Sequence, residues 1–126
     1  MWIYTKFGHF SIVADNSAVV TQQWAVRTRS RSHLENLLTA MGKSEAEIDE
    51  EIIEHDGRDY RYRVIVDYSG YLRIMDTIRR GVDYDNFKSH LGRTGFLQNE
   101  YNYFSYMGAY DASYDNAEPR PYSHVR

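Results

Sequence analysis

The chain contains no cysteine and only two prolines among 126 residues. Without cysteine there are no disulfides, no thiol nucleophile and no thiolate metal site, a composition that suits a reducing cytoplasm. No apolar run approaches the ~20 residues required to cross a bilayer. The opening MWIYTKFG is not a basic segment leading into an apolar one, so no secretory signal is expected. Charge of one sign is scarce too: 15 Lys and Arg against 18 Asp and Glu leave a net charge of −3. That balance argues against broad, charge-driven binding to nucleic acid or anionic lipid. The short signatures of catalysis are missing. There is no Gly-x-Ser-x-Gly elbow, no Ser-x-x-Lys, no glycine-rich phosphate loop and no His-Glu-x-x-His. The five histidines (His9, His33, His55, His90 and His124) have no metal-ligand spacing. His55-Asp56 beside Gly57 reads as turn chemistry. No cofactor or metal is expected, and the balance is against an enzyme.

What the chain has in abundance is tyrosine, 12 residues, a side chain that gives large contact area at low entropic cost and is enriched at interfaces. Its size fits one domain with a real core. The clearest pattern lies between Tyr60 and Leu91. Tyr60, Tyr62, Val64 and Val66 alternate with Arg61, Arg63 and Ile65, the period of a strand with one buried side. Asp67 or Ser69 then caps a helix whose stripe is Tyr71, Ile74, Met75, Ile78 and Val82. Gly81 is placed to end that helix in a left-handed conformation. Asp83 opens a second, short helix carrying Tyr84, Phe87 and Leu91 on one face.

Upstream, Trp2 to Ala14 reads as two strands around Gly8, with a hairpin preferred to a bulge. A strand within Val19–Ser30 opposes Trp24, Val26 and Thr28 to Ala25, Arg27 and Arg29. Ser32 and Glu35 have capping-box spacing ahead of the stripe Leu34, Leu37, Leu38 and Met41. The acidic stretch Lys43–Glu51 reads as a solvated helical turn or loop, with a second box at Ser44 and Glu47. Glu51–Glu54 is a short strand, and Asp56-Gly57 signals a hairpin into the next one. Leu37, Leu38, Val64, Ile74, Ile78 and Phe87 are expected in the core. The fold class is α+β: a small antiparallel or mixed sheet packed on helices, with a ferredoxin-like arrangement as one option. Residues 1–111 form the domain and 112–126 an extended or mobile tail.

Three pieces carry a resemblance: Met1-Trp2-Ile3-Tyr4-Thr5-Lys6-Phe7-Gly8-His9-Phe10-Ser11, Asp59-Tyr60-Arg61-Tyr62-Arg63, and Asp83-Tyr84-Asp85-Asn86-Phe87-Lys88. On these the chain resembles a family of small hypothetical proteins of actinobacteria and their phages. That family often ends in a helix with a Tyr-His-x-x-Trp pattern, where this chain has Asn99-Glu100-Tyr101-Asn102-Tyr103. The resemblance implies a compact domain and supplies no activity; it draws attention to Asn86 and Lys88.

Two functional surfaces follow. Arg27 and Arg29 share one strand face, and Arg61 and Arg63 another. If those strands are neighbours, four guanidiniums gather into an anion or nucleic-acid site, to which Lys88 and Arg93 add charge. Arg93 belongs to Gly92-Arg93-Thr94-Gly95, which resembles the GxxG loop of KH domains, a clamp on a nucleic-acid backbone. The second surface is a stripe of Tyr103, Tyr106 and Tyr110 at helical spacing, a candidate interface for a protein partner or another copy of the chain. The leading expectation is a non-enzymatic cytoplasmic protein-binding module, of the kind a phage or mobile element uses as an accessory. Nucleic-acid or nucleotide binding through the arginines or the Gly92–Gly95 loop is the alternative.

Overall fold

The structure, a computed structural model, describes residues 1–15 and 22–87. Its elements are β1 (Trp2–Thr5), β2 (Gly8–Asp15), β3 (Gln23–Thr28), α1 (Arg31–Ala40), α2 (Glu45–Glu51), β4 (Ile53–Glu54), β5 (Tyr62–Val66) and α3 (Tyr68–Arg80). The five strands form one sheet in the order β1-β2-β3-β5-β4, and every pairing is antiparallel. The fold is α+β. A ferredoxin-like arrangement runs strand-helix-strand-strand-helix-strand, with another strand between the two that each helix joins. Here β1, β2 and β3 follow one another as neighbours, and the helices enter only afterwards, so that option is not the one adopted. The compact unit runs from Met1 to Asp83. A second unit, Tyr84–Arg126, is described only for Tyr84–Phe87, where the Tyr84 and Phe87 rings lie 5.5 Å apart. The expected tail from Ala112 lies outside the described residues.

The β1–β2 turn is a two-residue hairpin, Thr5 facing Gly8 across Lys6-Phe7. The Thr5 hydroxyl closes it: Oγ1 accepts from the Phe7 and Gly8 N–H groups (3.0 and 3.1 Å) and donates to the Gly8 carbonyl (2.9 Å). A short polar side chain satisfying its own turn removes the need for a longer loop. On one face of the sheet Phe10, Ile12, Val26 and Val64 meet Leu34, Leu37 and Leu38 of α1, Ile48 of α2 and Ile74 and Ile78 of α3. The strand and helix periods predicted from sequence therefore converge on one core. Phe87, expected in the core, is half-buried; Val82 is exposed, because α3 stops at Arg80 and its stripe does not extend that far.

Several local expectations change. Asp67, not Ser69, caps α3, its carboxylate accepting from the Gly70 N–H at 2.8 Å. Gly81 stays right-handed (φ −74°). Its lack of a side chain is needed for packing, since a Cβ there would lie 2.9 Å from Phe7 Cε2. The Ser32–Glu35 box does not form: α1 begins at Arg31 after Ser30, and Glu35 instead accepts from Arg31 Nε at 3.1 Å. The Ser44–Glu47 box is present in full, and the acidic stretch is an ordered helix that buries Ile48. For Asp67→Ala, the loss of the cap should cost about 1 kcal/mol, read as a lower midpoint in urea at unchanged slope. An unchanged midpoint would mean that water replaces the carboxylate without loss.

Candidate ligand-binding face of the sheet

The sheet face away from the helices carries the side chains that alternate with the core set. Register builds a row across it: Trp2 opposes Ser11, Ser11 opposes Arg27, Arg27 opposes Arg63, and Arg63 opposes Ile53. Alternate residues of a strand share a face, so these five stand on the same side. Two positions along, Tyr4 opposes His9. The sequence alternation had paired Arg27 with Arg29 and Arg61 with Arg63. The structure makes Arg27 and Arg63 direct cross-strand neighbours and commits the other two elsewhere.

Arg29 is held by Asp59 in a fork, Nε to Oδ1 at 3.2 Å and Nη2 to Oδ2 at 3.3 Å, with its side chain only 6% exposed. Arg61 lies in solvent between Glu54 (2.6 Å) and Asp56 (2.8 Å). Exposed pairs of that kind contribute little to stability. They do neutralise the guanidinium as an anion receptor. Arg27 and Arg63 are different, for neither forms an ion pair among the described residues. Arg27 Nη2 donates to the Ser11 hydroxyl at 2.7 Å, and Arg63 Nη2 donates to the Tyr60 carbonyl at 3.1 Å. Their Nε–H donors are buried and have no hydrogen-bond partner among the described residues. Like charges directly opposite in a sheet are destabilising. Burial and the neighbouring Arg27 and Arg58 charges accordingly push the Arg63 pKa down, while Asp15 opposes the shift.

Tyr60 was expected to share the core face of β5. The strand begins only at Tyr62, so the alternation does not reach it. Its buried ring lies against two cations, with Arg27 Cζ 4.6 Å and Arg29 Cζ 4.4 Å from the ring centroid. Cation–π contacts of about 0.5–2 kcal/mol offset part of the repulsion and fix both guanidiniums. Asp59, Arg29 and Tyr60 thus form a support on which Arg27 and Arg63 are held close with unused donors.

Sequence reasoning missed the histidines at one end of this face. His9 and His33 are both buried. The His9 N–H donates to His33 Nδ1 at 3.3 Å, and the Thr28 hydroxyl donates to the His9 carbonyl at 3.0 Å. The Tyr4 and His9 rings are 4.5 Å apart. Burial, with the nearby Arg29 and His33, lowers the His9 pKa to about 3, and burial lowers that of His33 to about 4. Both rings are neutral at pH 7. The one available signal was His33 beside Leu34 on the apolar side of α1. Nothing local pairs it with a residue 24 positions away.

Among the described residues no three His, Asp or Glu side chains gather as a metal site, and no helix is long and apolar enough to cross a membrane. Lys88, Arg93, the Gly92–Gly95 loop, Tyr103, Tyr106 and Tyr110 lie outside the described residues. Comparison with protein-family models, with curated proteins and with solved structures finds no match. The functional reading rests on the geometry alone.

Proposed function

We propose that this protein is a non-catalytic binding module whose sheet face opposite α1, α2 and α3 receives a phosphate-bearing ligand, a nucleotide or a nucleic-acid strand, on Arg27 and Arg63. One observation carries the reading. Two register-paired guanidiniums have buried Nε–H donors with no hydrogen-bond partner among the described residues, while Arg29 and Arg61 beside them are matched to acids. An oxyanion between them would accept charge-assisted hydrogen bonds, which are about twice as strong as neutral ones, and would relieve the repulsion of the pair. The overall charge of −3 limits the electrostatic footprint to this patch. Binding should therefore be local, with few phosphates contacted.

The test is titration of fluorescent nucleotides and short oligonucleotides at low salt. The double variant Arg27→Ala with Arg63→Ala should bind at least ~10-fold more weakly, because each lost charged hydrogen bond contributes about 1.5–3 kcal/mol. Its melting temperature should not fall, since the repulsion disappears with the charges. Absence of binding by RNA, DNA and nucleotides alike, or equal binding by the double variant, would retire the reading.

A further inference from the structure

We infer that the exposed side of α3 is a self-association face, on which a second copy of this chain docks with its own α3 running antiparallel. The inference is independent of the phosphate site and concerns the helical side of the sheet.

α3 turns Gly70, Ile74, Thr77 and Ile78 inward. A second series, Tyr68, Leu72, Met75 and Arg79, recurs at intervals of four, three and four residues, the spacing of a stripe that one helix offers to another. Tyr68 is 60% and Leu72 48% exposed, and both lie outside the core and its partly buried margin. Tyr68 is nevertheless held in place. Its ring lies 5.7 Å from that of Trp24, which is stacked on Tyr71 at 4.9 Å. An exposed ring already positioned in this way loses little freedom on docking, the property of an interface anchor.

The charges along α3 say what docks there. The N-terminal end carries the exposed Asp67; the C-terminal end carries the exposed Arg79 and Arg80, which share the single carboxylate of Asp76. Arg73 forms no ion pair among the described residues and donates to the Ser69 hydroxyl at 2.7 Å. A surface acidic at one end and basic at the other is complemented by an identical surface only when that surface is reversed. Antiparallel pairing about position 74 sets Tyr68 against Arg79 and Arg80 of the second copy, a cation–π contact. It sets Leu72 against Met75, brings Arg73 beside Asp76 and lets Asp67 reach Arg80. Two-fold symmetry makes each contact twice. A parallel pairing would lay the arginines on one another, and an anionic lipid or nucleic-acid surface would meet Asp67 and Asp76 as well as the cations. The 13 residues of α3 span about 20 Å, so the contact is smaller than a permanent interface and the dimer is weak and reversible.

The experiment is sedimentation equilibrium of the full chain from about 10 μM to about 1 mM, the range of weak protein association. The average mass should rise toward that of a dimer. Leu72→Asp, which sets an acid opposite Asp76, and Tyr68→Ala should each weaken association about tenfold or more. The melting temperature of dilute samples should change little, since both side chains are exposed. Because the chain has no cysteine of its own, introduced thiols report the orientation. Ser69→Cys and Arg80→Cys chains oxidised separately should remain unlinked, because each position lies at least ~15 Å from its own copy along the pair. An equimolar mixture should form the mixed disulfide, whose Cβ atoms must approach to about 4 Å. A chain that stays monomeric at every concentration, association indifferent to both substitutions, or a disulfide formed as readily by either cysteine chain alone overturns the inference. So does a monomer that sediments with anionic vesicles, which would assign the stripe to a membrane surface.

Discussion

Replacing Gly8 by alanine should destabilise the protein by about 3–5 kcal/mol, the sum expected for a side chain forced into glycine-only backbone space and for a severe core overlap. Gly8 has φ +150°, a conformation that a residue with a Cβ adopts only under strain. The space is closed as well: an added methyl would lie 2.4 Å from His33 Cβ and 2.3 Å from its Cγ. Those atoms are the root of the side chain, so no rotamer change clears them, and relief requires α1 to move off the sheet. That movement would disturb Leu34, Leu37 and Leu38, all buried against β2 and β3. Thermal denaturation should show a melting temperature lower by more than ~10 °C, since 1 kcal/mol corresponds to roughly 4 °C for a domain of this size. A shift of a degree or two would mean that His33 is not seated over Gly8.

The same position shows how far the sequence could be read. Gly8 between two alternating runs announced the turn, and the hairpin formed as expected because Thr5 and Gly8 satisfy the loop by themselves. The reason no other residue serves there was not visible, since it lies in an α1 histidine 25 positions downstream. Alternation likewise told which arginines share a strand face, being a local property of φ and ψ. It could not tell that β3 and β5 pair so that Arg27 meets Arg63, because the register depends on two helices and a hairpin between them. It also could not distinguish Arg63 from Arg61. The difference is set by acids from other turns: Glu54 and Asp56 pair with Arg61, whereas Arg63 forms no ion pair among the described residues and donates to the Tyr60 carbonyl. Helix stripes were legible for the core, and helix ends less so. The Ser32–Glu35 spacing gave way to Arg31 pairing with Glu35, an i, i+4 contact that competes for the same carboxylate.

The charge arrangement connects stability to the proposed function. A sheet that places two guanidiniums side by side loses some stability unless something occupies the position between them. Tyr60 and the Asp59–Arg29 fork reduce that cost without neutralising Arg27 or Arg63. A bound anion should therefore raise the melting temperature by mass action, and more so for the parent than for a chain lacking either arginine.

The final prediction concerns acid. His9 and His33 sit buried and neutral with pKa values of about 3 and about 4, against 6.5 for an unhindered histidine. For His9 the cause is first burial, then the positive charge of Arg29 and the neighbouring His33; for His33 it is burial. The His33 Nδ1 that accepts from the His9 N–H is unprotonated, which places the ring proton on Nε2. Protonating His33 at Nδ1 would break that contact and put a cation against His9, inside a cluster closed by Thr28, Tyr4 and Phe10. In the unfolded chain both rings take up protons near pH 6.5, and the folded chain refuses them. Below that pH the unfolded state binds more protons, so stability falls as pH falls, and the loss continues until the folded values near 4 and 3 are reached. At ~1.4 kcal/mol for each tenfold difference in proton affinity, each histidine removes about 2 kcal/mol by pH 5. The interval from pH 6.5 to 5 is diagnostic, because unperturbed carboxylates are still mostly ionised there and histidine is the side chain whose ordinary pKa falls at its edge. Denaturant midpoints measured at pH 7.5, 6.5, 6.0, 5.5 and 5.0 should be level at first and then decline steadily. His33→Gln, which keeps an acceptor but cannot gain a proton, should be less stable at pH 7 and decline less steeply over the interval. A parent profile that stays flat down to pH 5 would show that His9 and His33 can be protonated in the folded protein, and the closed cluster between β2 and α1 would have to be abandoned.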